Sequence, residues 1–378
     1  MPNPRPVGKS PLTVRPVFWV RGPEDGRCGG YCLCCRITGP EAGARLHGIK
    51  PVIGKFSFDD VDEAMARWAG GQARTAWFFA GRDRRANNRR MDPAMLIIGC
   101  GYIGRALGAR YLLAGEPVTG VVFSLESTLQ LRKIGITPMA MDLDQSIDRL
   151  PLAGETGIFY FAPPPDAGVR DPRLERFLTA LGRQGCSPRI VYISTTGVYG
   201  DCQGAWVDES RPVQAVTDRA RRRLDAELKL LEWRLQGGGE LVILRVAGIY
   251  GPGRLPLARL RQGLPMIREE EAPWTNRIHA DDLVTVCQAA MTRGVDGEIY
   301  NVSDGAPGNM AQYFSMVADL AGLEQPPMIS RAAAQRELPA SMLSYLQESR
   351  RIDNRKMLRD LGVTLKYPTL AKGLAASL

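Results

Sequence analysis

The hydrophobic positions of this chain fall into two regimes that meet near Met91. Downstream of it, short apolar and β-branched runs recur: MLIIG from Met95, then PVTGVVF, GIFYFAPP, RIVYIST and LVILRVAG. Each is bounded by turn residues and separated from the next by a segment long enough for a helix. Such runs predict strands, and strands alternating with helices predict a parallel sheet with crossover helices, a doubly wound α/β fold. Helices are predicted over IGRALGARYLLAG, over RLERFLTALGRQG from Arg173, and over VTDRARRRLDAELKLLEW. In the last of these, Ala220, Leu224, Leu228 and Leu231 predict the packing face, while Arg219, Arg223 and Glu227 share another at i, i+4, i+8. Upstream of Met91 only FSFDDVDEAMARWAGG has helical spacing, with Val61, Ala64, Met65 and Trp68 following an acidic start.

Composition changes this picture in three places. With 378 residues, 44% of them hydrophobic, the chain can fill one large or two ordinary cores. No apolar run approaches the roughly 18 residues of a membrane span, and MPNPRPVGKSPLTVRP has prolines where a signal peptide needs an apolar centre, so a cytoplasmic protein without a membrane partner is expected. The net charge of +9 is uneven: residues 1–90 hold 16 Lys+Arg against 8 Asp+Glu, and the remainder 33 against 32. A basic nucleic-acid surface over the whole molecule is therefore not supported, and a basic N-terminal arm is the form in which a nucleic-acid partner stays open. Half of the eight cysteines, Cys28, Cys32, Cys34 and Cys35, lie in CGGYCLCC with a single CxxC, and the chain has only His47 and His279. Without a second CxxC or a histidine cluster no metal is expected, and the thiols are read as reduced. The domains expected are a basic, poorly ordered extension over 1–90, a dinucleotide-binding domain over 91–250, and a substrate region over 251–378 from which about 278–304 returns to the first.

Candidate chemistry begins where the first strand ends, in GCGYIG. Gly99 permits the tight turn, Gly101 lets backbone approach a pyrophosphate, and Gly104 lets the following helix pack closely on the strand. The second strand ends in Phe123 and Ser124, where an acid would mark NAD by accepting from the ribose 2′-hydroxyl and an arginine would take the 2′-phosphate of NADP. Arg132 and Lys133 against Glu126 tilt the reading from NAD toward NADP; the competing reading makes all three surface charges of the next helix.

From Met95 onward the chain resembles the extended short-chain dehydrogenase/reductases, the NAD-dependent epimerase/dehydratases, and particularly their atypical members. The resemblance rests on GCGYIG at 99–104, MDLD at 141–144, STTGVYGD at 194–201, LRVAGIYGPGR at 244–254, and RIHADDL with NVSDG between 277 and 305; SRRIDNRKMLRDLGVTLKYPTLAKGL resembles the atypical tail. It implies a Rossmann fold with a smaller mixed α/β C-terminal region, and a cofactor lying along Gly99, Gly101, Tyr102, Ile103, Gly104, Phe123, Ser124, Asp142, Leu143, Ala162, Pro163 and Arg223. It also implies that Thr195 binds the reacting oxygen. The family's Tyr-x-x-x-Lys, counted back from Glu227, falls on Arg219 and Arg223. A guanidinium can hold a ribose or phosphate, but its pKa above 12 makes it a poor proton shuttle near neutrality.

Three routes follow. Another tyrosine, Tyr199 or Tyr250, supplies the proton; Arg219 stabilises an oxyanion or holds an anionic substrate; or the protein binds the dinucleotide without turnover. Thr196 and Gly197 stand where nucleotide-sugar dehydratases carry an acidic pair. The expected activity is NAD(P)-dependent redox or epimerase-like chemistry on a small carbonyl or hydroxyl compound, with a homodimer as a possible assembly. The alternatives are an NAD(P)-binding regulator and, more distantly, a nucleic-acid-associated protein. His279, the one histidine in these motifs, is read as structural, and Asp281 and Asp282 as carboxylates at a helix start.

Overall fold

The computed structural model describes strands Thr13–Phe18 and Leu33–Thr38 and residues 95–152, 156–338, 343 and 346–378. The expected helix in FSFDDVDEAMARWAGG, the poorly ordered extension and the metal-free thiols of Cys28, Cys32, Cys34 and Cys35 concern residues or side chains outside those described. The chain divides into two units, residues 1–89 and 90–378. In the first, β1 (Thr13–Phe18) and β2 (Leu33–Thr38) pair antiparallel. The sequence reading missed this pair because Pro16 argues against a strand; in a two-stranded sheet both strands are edges, where proline is tolerated.

The second unit is built on a seven-stranded parallel sheet with the order β14-β9-β7-β6-β3-β4-β5. Its strands are β3 (Met95–Ile98), β4 (Val118–Val122), β5 (Thr137–Ala140), β6 (Gly157–Tyr160), β7 (Arg189–Thr195), β9 (Glu240–Val246) and β14 (Ile299–Val302). Alternation along each strand sends neighbours to opposite faces. Met95, Ile97, Val242 and Leu244 join one core beneath helices Tyr102–Leu113 and Ala280–Arg293. Leu96, Ile98, Leu241 and Ile243 join the other, beneath helices Pro172–Arg183 and Asp218–Leu235. This is the Rossmann-like α/β fold that the apolar runs predict.

Four short strand pairs complete the unit beyond the sheet. They are β8 (Trp206–Val207) with β17 (Arg351–Ile352), β10 (Gly248–Tyr250) with β13 (Arg277–His279), β11 (Met266–Ile267) with β16 (Met328–Ile329), and β12 (Trp274–Thr275) with β15 (Gly308–Asn309). Helix Met310–Ala321 opens with a capping box in which Asn309 and Gln312 bond each other's backbone, and packs Tyr313, Phe314 and Val317 against Tyr250, Leu260 and Met266.

Candidate active site

Register brings the carboxyl ends of the strands level: Ile98 lies opposite Val121 and Tyr160, Tyr160 opposite Tyr192, and Thr195 opposite Val246. The strand order reverses between β3 and β6, the place where open α/β sheets bind ligands. Gly99 sits there with φ +79°, and a Cβ on it would lie 2.4 Å from the Ala162 nitrogen, so the turn requires glycine twice over. Gly104 is similarly confined, with Ile97 Cγ2 only 3.0 Å from the Cβ it lacks. Gly101 differs, because its Cβ would meet only the Gly99 oxygen at 4.0 Å. As N-cap of helix Tyr102–Leu113 it offers no side-chain cap to the first N–H groups, and helix ends of this kind can hold an anion. Ile103 is buried, and the Tyr102 hydroxyl donates to the Pro252 carbonyl at 3.0 Å while Arg254 stacks on its ring. The GIYGPGR loop is thereby fastened beside the glycine turn.

The cofactor flanks named from sequence separate into two groups. Phe123 and Ser124 follow β4: Phe123 is 75% exposed, and Ser124 caps helix Leu125–Lys133 by accepting from Ser127 N. Arg132 and Lys133, which tilted the reading toward NADP, lie in the last turn of that helix. A nine-residue helix places them about 12 Å along its axis from Ser124, at the end that leads back to the start of β5. Asp142 accepts from Asp144 N, and Asp144 forms a two-pronged pair with Arg173, whose hydrogen bonds, and then its charge, hold that carboxyl below its ordinary range. Arg173 also donates to the Pro163 carbonyl at 3.1 Å, and Arg176 to the Leu143 carbonyl at 3.2 Å. The sequence reading missed these two arginines. Their signal was an i, i+3 pair opening the helix behind the APP turn.

Arg223 lies where β6 and β7 end. Its Nη1 donates to the Ile193 carbonyl at 3.0 Å, to the Tyr192 hydroxyl at 3.3 Å, and at 3.5 Å to the carbonyl of Ala162, the residue that Gly99 abuts. Burial pushes the Tyr192 hydroxyl up to about 12, with Arg223 easing it, so this tyrosine stays neutral and accepts. Thr195 ends β7; its Oγ1 accepts from Gly197 N at 3.1 Å, which leaves its own proton to donate. Gly197 faces both Thr195 and Ala220, so the first turn of helix Asp218–Leu235, carrying exposed Arg219, sits against the Thr195 turn.

Two expectations change here. The packing face predicted for that helix holds at Ala220, Leu224 and Leu231 but not at Leu228, which is 59% exposed, and the core also takes Ala226, Glu227 and Leu230. The reason is a polar network under the sheet. Ser194 donates to Glu227, Glu227 pairs with Arg245 at 2.7 Å, Arg245 stacks on Tyr199, and the Tyr199 hydroxyl donates to Asn301 at 2.8 Å. Tyr199 is 1% exposed and its hydroxyl is held up by burial, so it stands behind the site. Tyr250 is buried between His279 and Tyr313.

His279 caps helix Ala280–Arg293 by accepting from Asp281 N at Nδ1, and its Nε2 meets Ser377, whose hydroxyl donates to the Gly373 carbonyl. Ser377 is thus no nucleophile activated by a histidine base. Asp282 accepts from the backbone of Lys366 and Tyr367, tying down the C-terminal segment. Among the described residues no cluster of three potential metal ligands occurs, and no helix is long and apolar enough to cross a membrane.

Sheet order and glycine turn define a Rossmann-like α/β protein. The model of the NAD-dependent epimerase/dehydratase family matches residues 174–303 of the chain. The chain is 31% identical to a functionally unknown conserved protein from Silicibacter pomeroyi DSS, covering 75% of this chain and 97% of that one with a TM-score of 0.67. It is 27% identical to protein YeeZ of Escherichia coli K12 (72% of this chain, 95% of that one) and 26% identical to a 4-hydroxy-2-methyl-3-oxo-4-farnesyl-3,4-dihydroquinoline-1-oxide ketoreductase of Stigmatella aurantiaca (62% and 77%). Solved structures below 25% identity, described as complexes with NAD or with NADPH, share the fold.

Proposed function

We propose that the protein is a cytoplasmic NAD(P)-dependent oxidoreductase acting on a small carbonyl or hydroxyl compound, a reductase in the direction of carbonyl consumption. The observation that supports it best is Arg223 donating across the ends of β6 and β7, beside the glycine turn and Thr195. A cation fixed there suits a bound dinucleotide's ribose and phosphate oxygens, and its hydrogen bonds among the described residues all come from Nη1, so the guanidinium has further N–H groups to offer. The glycine turn and the bare helix end would hold the pyrophosphate, with Asp142, Leu143, Ala162 and Pro163 along the adenosine. The cofactor supplies the hydride when bound. Thr195 orients the reacting oxygen by donation, and Arg219 stabilises negative charge growing on it or on the substrate. With Tyr199 and Tyr250 both buried, the proton reaches the product from water.

NAD and NADP stand equal, because Arg132 and Lys133 no longer favour the latter. The test is to titrate NADH and NADPH into the protein by fluorescence and then follow nicotinamide oxidation over simple ketones and keto-sugar nucleotides. Absence of binding for both cofactors ends the reading. Binding without turnover on any of them moves it to an NAD(P)-binding regulator, the reading that the arginine at the tyrosine position favours.

A further inference from the structure

Beyond edge strand β14 a cavity of about 470 Å³ opens, lined by none of the residues assigned above. Its formation follows from local sequence. The strand pair β12–β15 and the N-terminus of helix Met310–Ala321 form one wall, and Met316 with Leu370 form an apolar wall opposite the polar floor. The floor carries two charges that came 27 residues apart in the chain. Arg277 donates to Thr275 Oγ1 at 2.8 Å and lies 4.0 Å over the Tyr313 ring, yet has no carboxylate within ion-pairing distance among the described residues. Asp304 is 6% exposed; its Oδ1 accepts from Ala306 N at 3.0 Å, and its Oδ2 is buried with no hydrogen-bond partner among the described residues. A buried carboxylate oxygen left in this state is costly unless a donor reaches it.

The charge balance selects the donor. The ionisable lining groups are Arg277, Asp304 and, at the exposed mouth, Glu269. A phosphate dianion would meet two carboxylates, and a simple cation would meet Arg277. We propose that this cavity binds a compact zwitterion, an α-amino acid with an apolar side chain: ammonium on Asp304 Oδ2, carboxylate on Arg277, side chain toward Met316 and Leu370. Charge-assisted bonds at both ends of one small molecule give it orientation as well as affinity.

The experiment is calorimetric titration of the full chain with L-valine, L-leucine and L-methionine, against acetate, ethylammonium and inorganic phosphate at the same millimolar concentrations. At least one amino acid is expected to bind saturably, with the half-ligands and phosphate silent. Asp304→Asn keeps the Oδ1 acceptor but replaces Oδ2 with a donor, and is expected to weaken that binding about tenfold or more while the variant still melts cooperatively. Arg277→Lys keeps the charge and is expected to weaken it less than Arg277→Gln. Silence of all three amino acids, phosphate binding in their place, or affinity unchanged in a folded Asp304→Asn protein overturns the proposal.

Discussion

At the scale of single residues, Gly101 separates fold from binding. Its missing Cβ faces open space at a helix N-terminus, so Gly101→Glu should fold, the carboxylate even favouring that helix end by a few tenths of a kcal/mol. The same carboxylate stands where the pyrophosphate charge would go. Dinucleotide affinity should fall by more than about tenfold, and a variant that binds NADH as tightly as the parent protein dismisses the pocket. Arg219 and Arg221 offer a second contrast. Arg221 lies 3.6 Å from Asp218 on the solvent side, whereas Arg219 shares its turn with Ala220 against the Thr195 loop. Arg219→Ala should slow turnover by the worth of an oxyanion donor, on the order of 2 to 4 kcal/mol, and Arg221→Ala should leave the rate alone. Equal, negligible losses would return both to a solvated face. Asp304 adds a pH dependence. Burial, with Asp282 adding repulsion and Arg277 and the Ala306 N–H easing it, lifts its carboxyl from 3.8 to about 7. Between those values the unfolded chain has lost a proton that the folded one keeps, so its contribution to stability falls as pH rises through that window and then levels off. Asp304→Asn should therefore gain stability relative to the parent between pH 4 and pH 8, by roughly 1 to 3 kcal/mol at the upper end. A melting-temperature difference that does not change with pH would show that this group does not titrate there.

At the scale of elements, helix Asp218–Leu235 shows what pattern reading can and cannot reach. Its existence and its amphipathic character were legible in the local sequence. The burial of Glu227 beside Arg223 was not, because hydrophobic counting gives a charged stripe no reason to meet the sheet. Only the partners, Ser194 and Arg245 on strands distant in sequence, make that face inward. The two- and three-residue strands β8, β10 to β13 and β15 to β17 were likewise too short to carry a period, and Arg277 with Asp304 come together only through their packing. The strands of the sheet and the GCGYIG turn could be read because the signal for each lies within one short segment. The ion pair between Glu227 and Arg245, 1% and 6% exposed, carries its own prediction. Glu227→Ala leaves a buried guanidinium uncompensated and should cost about 3 to 5 kcal/mol in urea unfolding, whereas replacing both residues by apolar ones of similar volume should recover much of that loss. A double variant no more stable than the single one would mean that the network acts through packing alone.

At the scale of the whole molecule the charge asymmetry and the fold divide the chain at the same place. The excess of Lys+Arg over Asp+Glu is 8 in residues 1–90 and 1 thereafter. The sheet begins at Met95 and ends with Val302, and the described helices that pack on it run from Tyr102 to Leu361, the last adding Met357 and Leu361 to one core. A chain starting at Met91 therefore retains the complete hydrophobic layers on both faces of the sheet, along with the glycine turn, Thr195, Arg219 and Arg223. It should fold cooperatively, melt within a few degrees of the full chain, and bind NADH or NADPH with unchanged affinity. Whatever affinity the full chain has for nucleic acid should disappear with the removed segment, since a near-balanced remainder offers phosphates little attraction and the loss should mirror that produced by added salt. An insoluble or uncooperative Met91 chain would tie residues 1–90 to the stability of the second unit. A soluble one that still bound nucleic acid in a salt-dependent way would relocate that affinity to the Rossmann unit and revive a function the charge distribution argues against.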